Sequence, residues 1–133
     1  MKKKAICSLF IILFFMTSKL TVFSATYTFA FPDYTQSVGS MRWTPATQLV
    51  STGQHPYVYP DTASIKTFYF LTPYHSSTIQ ATNIKACDTH QAKYFSWNTG
   101  YGGEGNAYFL AGYPDSSIYH RPAYTISGYW TVD

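Results

Sequence analysis

The sequence predicts an all-β protein: a single-domain antiparallel β-sandwich or small barrel of about seven to eight strands, following an N-terminal signal helix. Three observations carry this. Apolar residues alternate with polar ones at a period of two, aromatic and β-branched residues dominate those runs, and Gly, Pro, Asn, Asp and Ser clusters separate them. No stretch beyond the N-terminal segment offers a convincing helix.

The N-terminal segment has its own logic. Lys2, Lys3 and Lys4 form a compact positive region, and Ala5 to Met16 is an apolar stretch of twelve residues whose one polar member is Ser8. That is the order of a secretory signal peptide. A bilayer span needs about 20 apolar residues, and Thr17, Ser18 and Lys19 interrupt this run. In Val22-Phe23-Ser24, Val22 and Ser24 occupy the two small-residue positions of a cleavage site. Cleavage is therefore expected between Ser24 and Ala25, giving a signal peptide over 1–24 and one domain over 25–133, secreted from the cell. Cys7 opens the apolar run instead of following it, which argues against a lipid-modified N-terminus.

Cleavage reverses the charge. The full chain is formally +3, but Lys2, Lys3, Lys4 and Lys19 leave with the signal. Arg42, Lys66, Lys85, Lys93 and Arg121 then face Asp33, Asp61, Asp88, Glu104, Asp115 and Asp133. With five scattered cations against six acids there is no basic cluster to neutralise phosphates, so nucleic acid is excluded as a partner.

Along the chain, Thr26 to Phe31 places Tyr27, Phe29 and Phe31 on one face of an extended strand. Further strands are expected at Gln48 to Ser51, Tyr57 to Tyr59, Ser64 to Leu71, Thr78 to Ala86, Lys93 to Trp97, Ala107 to Ala111 and Tyr124 to Val132. In the last, Tyr124, Ile126, Gly128, Trp130 and Val132 share a side. Prolines 60, 73, 114 and 122 fall between these segments, where the missing N–H costs no ladder bond.

Residues 25 to 133 hold thirteen Tyr, six Phe and three Trp against twelve Val, Leu and Ile. A domain of this size buries on the order of thirty residues, so the Trp residues and several Tyr residues must serve as core. Rings left on solvent can stack on sugars or sit at a membrane interface. Tyr101, Tyr113 and Tyr119, in Gly- or Pro-rich turns, and Trp130 are the candidate stacking residues.

Other motifs reduce to structure. Gly100 to Gly105 matches G-x-G-x-x-G, but that fingerprint requires a following helix N-terminus to bind a pyrophosphate. Here Asn106 to Leu110 is expected as a strand, making the glycines a hairpin connection and implying no cofactor. Cys87 and His90 are too few for a zinc site of three or four ligands. Cys87 is the sole thiol after cleavage, either free or bridged to another chain, and is expected to pack as a small apolar residue. Asp33, Asp61 and Asp115 sit in proline-flanked turns, where capping is the usual role of aspartate. Neither a catalytic set nor a metal site is assembled.

The ending Ser127-Gly128-Tyr129-Trp130-Thr131-Val132-Asp133, with the Tyr-x-Phe-x-Phe of Tyr27, Phe29 and Phe31, resembles small secreted proteins of Gram-positive bacteria. These are of unknown function and end in a Ser-Gly-x-Trp-x-x-Asp-like segment. In several of them Ser-Pro stands where this chain has Thr131-Val132. The resemblance implies a bacterial, bacteriocin-like or transporter-linked exported product. The expected function is thus non-enzymatic, exerted at the cell envelope or in the medium. A cell-envelope component, a glycan or another protein is the expected partner. The alternative is a carbohydrate-binding module using exposed Tyr and Trp.

Overall fold

The structure, a computed structural model, describes residues 26–34, 41–52, 54–62, 66–88, 90–115 and 124–133. The expected signal peptide and its cleavage site at Ser24 and Ala25 lie outside these residues, as does Tyr119.

The described residues form nine strands: β1 (Tyr27–Tyr34), β2 (Arg42–Trp43), β3 (Gln48–Leu49), β4 (Tyr57–Pro60), β5 (Thr67–Thr72), β6 (Lys85–Cys87), β7 (Lys93–Tyr94), β8 (Ala107–Pro114) and β9 (Tyr124–Thr131). They form two antiparallel sheets. The first runs β1-β9-β4-β7; the second runs β2-β8-β5-β6, with β3 also paired to β8. The sheets pack face to face as an all-β sandwich, and the described residues contain no helix.

The period of two decides what lies between the sheets. Phe29 and Phe31 of β1, Val58 of β4, and Ile126 and Trp130 of β9 are buried from the first sheet. Tyr69 and Leu71 of β5 and Tyr108 and Leu110 of β8 meet them from the second, in one cluster that also includes Val50, Ala81, Cys87, Phe95 and Val132. Strand β5 is central and nearly all buried, so its apolar residues do not alternate with polar ones. Its other face is covered in part by Trp43, His75 and Phe109: His75 lies 6.0 Å from Trp43 and 5.4 Å from Phe109 between ring centroids.

Two glycines are required by packing. A Cβ on Gly128 would overlap the Tyr59 carbonyl oxygen and lie 2.8 Å from Pro60 Cα, so β9 and β4 approach only because this side chain is absent. Gly102, at φ +82°, sits against the Trp97 indole, with the space for a Cβ only 2.5 Å from ring atoms.

The terminal segment that carries the resemblance is accounted for by these contacts. Ser127 O accepts from Asp61 N at 2.8 Å, and Trp130 is 2% exposed in the core. Asp133 accepts from Ser51 N at 2.8 Å, Ser51 Oγ at 2.7 Å and Thr52 N at 2.8 Å. The segment clasps β9 onto the loop after β3.

The strands depart from the expected segments in places, most at 78–86, and β2 has no counterpart among them. Thr78 to Ala86 is mostly irregular, with only Lys85–Cys87 in a ladder and a bridge between Thr82 and Trp97. Side-chain bonds interleave with isolated backbone ones there: Leu71 N donates to Thr82 Oγ1, Ser96 N to Asn83 Oδ1, and Asn98 Nδ2 to Gln80 O, beside Ala81 N to Leu71 O and Asn83 N to Ser96 O. Strand β2 has only two residues and no alternation to announce it. The glycine-rich segment is a connection leading into β8, with Tyr101 N donating to Asn98 O and Asn106 N to Gly103 O.

Candidate functional site: an outward tyrosine face

The residues on the outer side of the first sheet are those that alternate with its core. In β4, Val58 and Pro60 are buried, so Tyr57 and Tyr59 point outward and are half-exposed. In β9, Tyr129 lies between buried Gly128 and Trp130 and is 42% exposed. On β7, Tyr94 is 58% exposed.

Strand register brings these tyrosines together. Tyr57 pairs with Tyr94 and Tyr59 with Tyr129, and directly opposed residues share a face. Ring centroids are 5.7 Å apart in the first pair and 6.4 Å in the second. The second row extends in both directions: Thr28 pairs with Tyr129 across β1, and His90 meets the Tyr59 ring at 6.5 Å.

Hydroxyl groups surround the rings. Thr26 Oγ1 and the Tyr57 hydroxyl are 3.2 Å apart, and Thr62 Oγ1 lies 2.6 Å from Ser127 Oγ. His90 Nδ1 is 3.5 Å from Asp61 Oδ1, with both side chains largely exposed. An open groove of about 570 Å³ lies beside the Tyr57–Tyr94 pair, lined also by Thr26, Gln54, His55 and Asp133. A second, of about 470 Å³, includes Thr28, Ala30, Asp61, Ser127 and Tyr129. Aromatic faces flanked by hydroxyl, amide, imidazole and carboxylate groups suit a ligand with both apolar and hydroxyl surface.

The sequence-derived candidates lie elsewhere. Trp130 is a core side chain at 2% exposure and offers no ring to solvent, because its position alternates with Tyr129 toward the opposite sheet. Tyr113 is half-buried and stacked on Phe68 at 5.2 Å and 20°. Tyr101 is partly buried against the core, edge-on to Tyr108 at 6.5 Å. These three do not form a common platform. Tyr57, Tyr59, Tyr94 and Tyr129 lie on strands and not in turns, and the alternation in Tyr57-Val58-Tyr59 is the sequence signal for two of them.

Cys87 is 2% exposed, and its Sγ donates to Gln91 O at 3.1 Å. Burial pushes its thiol pKa up; nearby Lys93 opposes this and Asp88 reinforces it. A protonated, enclosed thiol is a poor nucleophile. His90 engages Asp61 and Tyr59. Among the described residues, no group of three or more His, Cys, Asp or Glu could hold a metal ion.

No family model, curated protein or solved structure matches this chain.

Proposed function

We propose that this chain is an exported, non-enzymatic β-sandwich module that binds carbohydrate at the cell envelope or in the medium. The observation that carries the reading is the four-tyrosine outer face of the first sheet, with Tyr57 beside Tyr94 and Tyr59 beside Tyr129. Sugars present C–H faces to stack on rings and hydroxyls to meet Thr, Ser, Gln and His side chains. The buried, protonated Cys87 supports a binding role over catalysis by that thiol.

Affinity electrophoresis of the folded chain through gels containing soluble polysaccharides tests the reading. Retardation by at least one polysaccharide, relieved when Tyr59 and Tyr129 are both replaced by alanine, is the expected result. Equal mobility in every gel counts against it. The second reading, a bacteriocin-like effector, is favoured by the 127–133 resemblance. Those residues already have structural work at Gly128, Trp130 and Asp133. Growth inhibition of bacterial strains by micromolar protein, retained in the double alanine variant, would favour that reading instead.

A further inference from the structure

The spacing and tilt of the four rings specify the ligand further, resting on the carbohydrate reading above. Tyr94 and Tyr129 lie two strands and one two-residue step apart, joined through Tyr57 and Tyr59. At the usual strand spacing and rise this diagonal is about 12 Å, roughly the length of a trisaccharide.

The rings are not coplanar. Tyr57 and Tyr94 are tilted by 56° and Tyr59 and Tyr129 by 44°. A crystalline polysaccharide surface demands a flat row of rings. Tilted rings follow a single chain that turns from one unit to the next.

Charge narrows the class. Among the described residues, the acidic groups beside this face are Asp61 and Asp133 and the imidazoles are His90 and His55; Asp133 is already bonded to Ser51 and Thr52. Among the described basic residues, Arg42 and Lys85 belong to the second sheet, Lys66 precedes β5, and Lys93 alternates with Tyr94 on β7. None of these four described Lys and Arg residues belongs to the face, and the carboxylates Asp61 and Asp133 repel an anionic glycan, so a neutral one is favoured. A β-linked gluco-configured chain, with its ring hydroxyls equatorial, offers a C–H patch on both faces of every unit and so can stack on both pairs as it turns from one unit to the next.

We infer that the face binds a single soluble strand of a neutral β-1,4-linked, gluco-configured oligosaccharide, about three units long, running diagonally from Tyr94 to Tyr129. At the Tyr94 end, the groove holding Gln54 and His55 receives the hydroxyls of the terminal unit.

The test is calorimetric titration of the full folded chain with cello-oligosaccharides and chito-oligosaccharides of one to six units. Parallel arms use microcrystalline cellulose and a sulfated glucan. Affinity in one of the two soluble series is expected to rise to about three units and then level off, with neither parallel arm preferred. Tyr94→Ala and Tyr129→Ala should each weaken trisaccharide binding about tenfold, whereas the corresponding Phe variants keep most of it. Tyr74→Ala, at the 64% exposed Tyr74 in the turn after β5, should change nothing. Circular dichroism confirms that each variant is folded; Tyr94 and Tyr129 are both exposed side chains outside the core.

Affinity that climbs through six units, or preference for the crystalline or sulfated arm, overturns the site-size and class inference. If binding in that case still depends on Tyr94 and Tyr129, the carbohydrate reading survives. Absence of saccharide binding by the folded wild type, or binding indifferent to all the alanine variants, overturns both.

Discussion

Replacing Gly128 by alanine adds one methyl group where β9 lies directly against the backbone at the end of β4. The new Cβ would overlap the Tyr59 carbonyl oxygen and fall 2.8 Å from Pro60 Cα and 3.0 Å from Asp61 N. All three are backbone atoms, so no side chain can rotate away. The strands must separate, straining the bonds that Asp61 N and Thr62 N donate to Ser127 O at 2.8 and 3.3 Å. Overpacking typically costs about 1–3 kcal/mol, and backbone neighbours put this case near 3 kcal/mol. At about 4–8 °C per kcal/mol for a domain near 100 residues, Tm should fall by about 12–24 °C. Thermal unfolding followed by near-ultraviolet circular dichroism measures it. Gly105→Ala is the control: φ is +80° but nothing lies within 4 Å of the added Cβ, so only the backbone cost of about 1 kcal/mol applies. A Gly128→Ala loss no larger than that of Gly105→Ala would refute the reasoning.

Asp133→Ala removes the acceptor of three hydrogen bonds and should cost about 2 kcal/mol in urea denaturation. Ser51→Ala, which deletes one of them, should cost about 1 kcal/mol. Cys87 in the native protein should react with a thiol reagent at mildly alkaline pH far more slowly than after unfolding, since burial keeps it protonated. Equal rates would place the thiol on the surface. The same burial sets a pH dependence. The Cys87 thiol and the Tyr113 phenol both have raised pKa values in the fold, so the unfolded chain ionises first as pH climbs. Stability from these groups is complete below their unfolded values, about 8.5 and 10, and declines above them. A Cys87→Ala variant should flatten the lower part of that decline.

The sandwich was legible because alternation is a direct readout of which face is buried. Phe29 and Phe31 in β1, and Ile126 and Trp130 in β9, point inward as the period of two requires. Alternation misleads where it is not what holds the chain. Thr78 to Ala86 has strand-forming residues, but Thr82, Asn83 and Asn98 bond the backbone with side chains, and no ladder forms there until Lys85. Strand β2 is too short for a pattern and is held by its partner β8. At the site, turn residues were expected to be the exposed aromatics. Folding instead turns Tyr101 and Tyr113 against neighbouring rings and leaves Tyr57, Tyr59, Tyr94 and Tyr129 on solvent. Which strands become neighbours depends on long-range pairing. Tyr57 is 37 positions from Tyr94, and Tyr59 is 70 from Tyr129.

The claim that contact is made through the outer face of the first sheet is tested most directly by a nuclear magnetic resonance titration of the folded chain with cellotriose and chitotriose. The account predicts that one of the two shifts resonances of Tyr57, Tyr59, Tyr94 and Tyr129 and their hydroxyl neighbours Thr28 and Ser127. Shifts centred instead on Pro73, Tyr74 and Tyr101, which line a separate groove of about 340 Å³ with Tyr108, would contradict it. So would a spectrum that neither sugar changes.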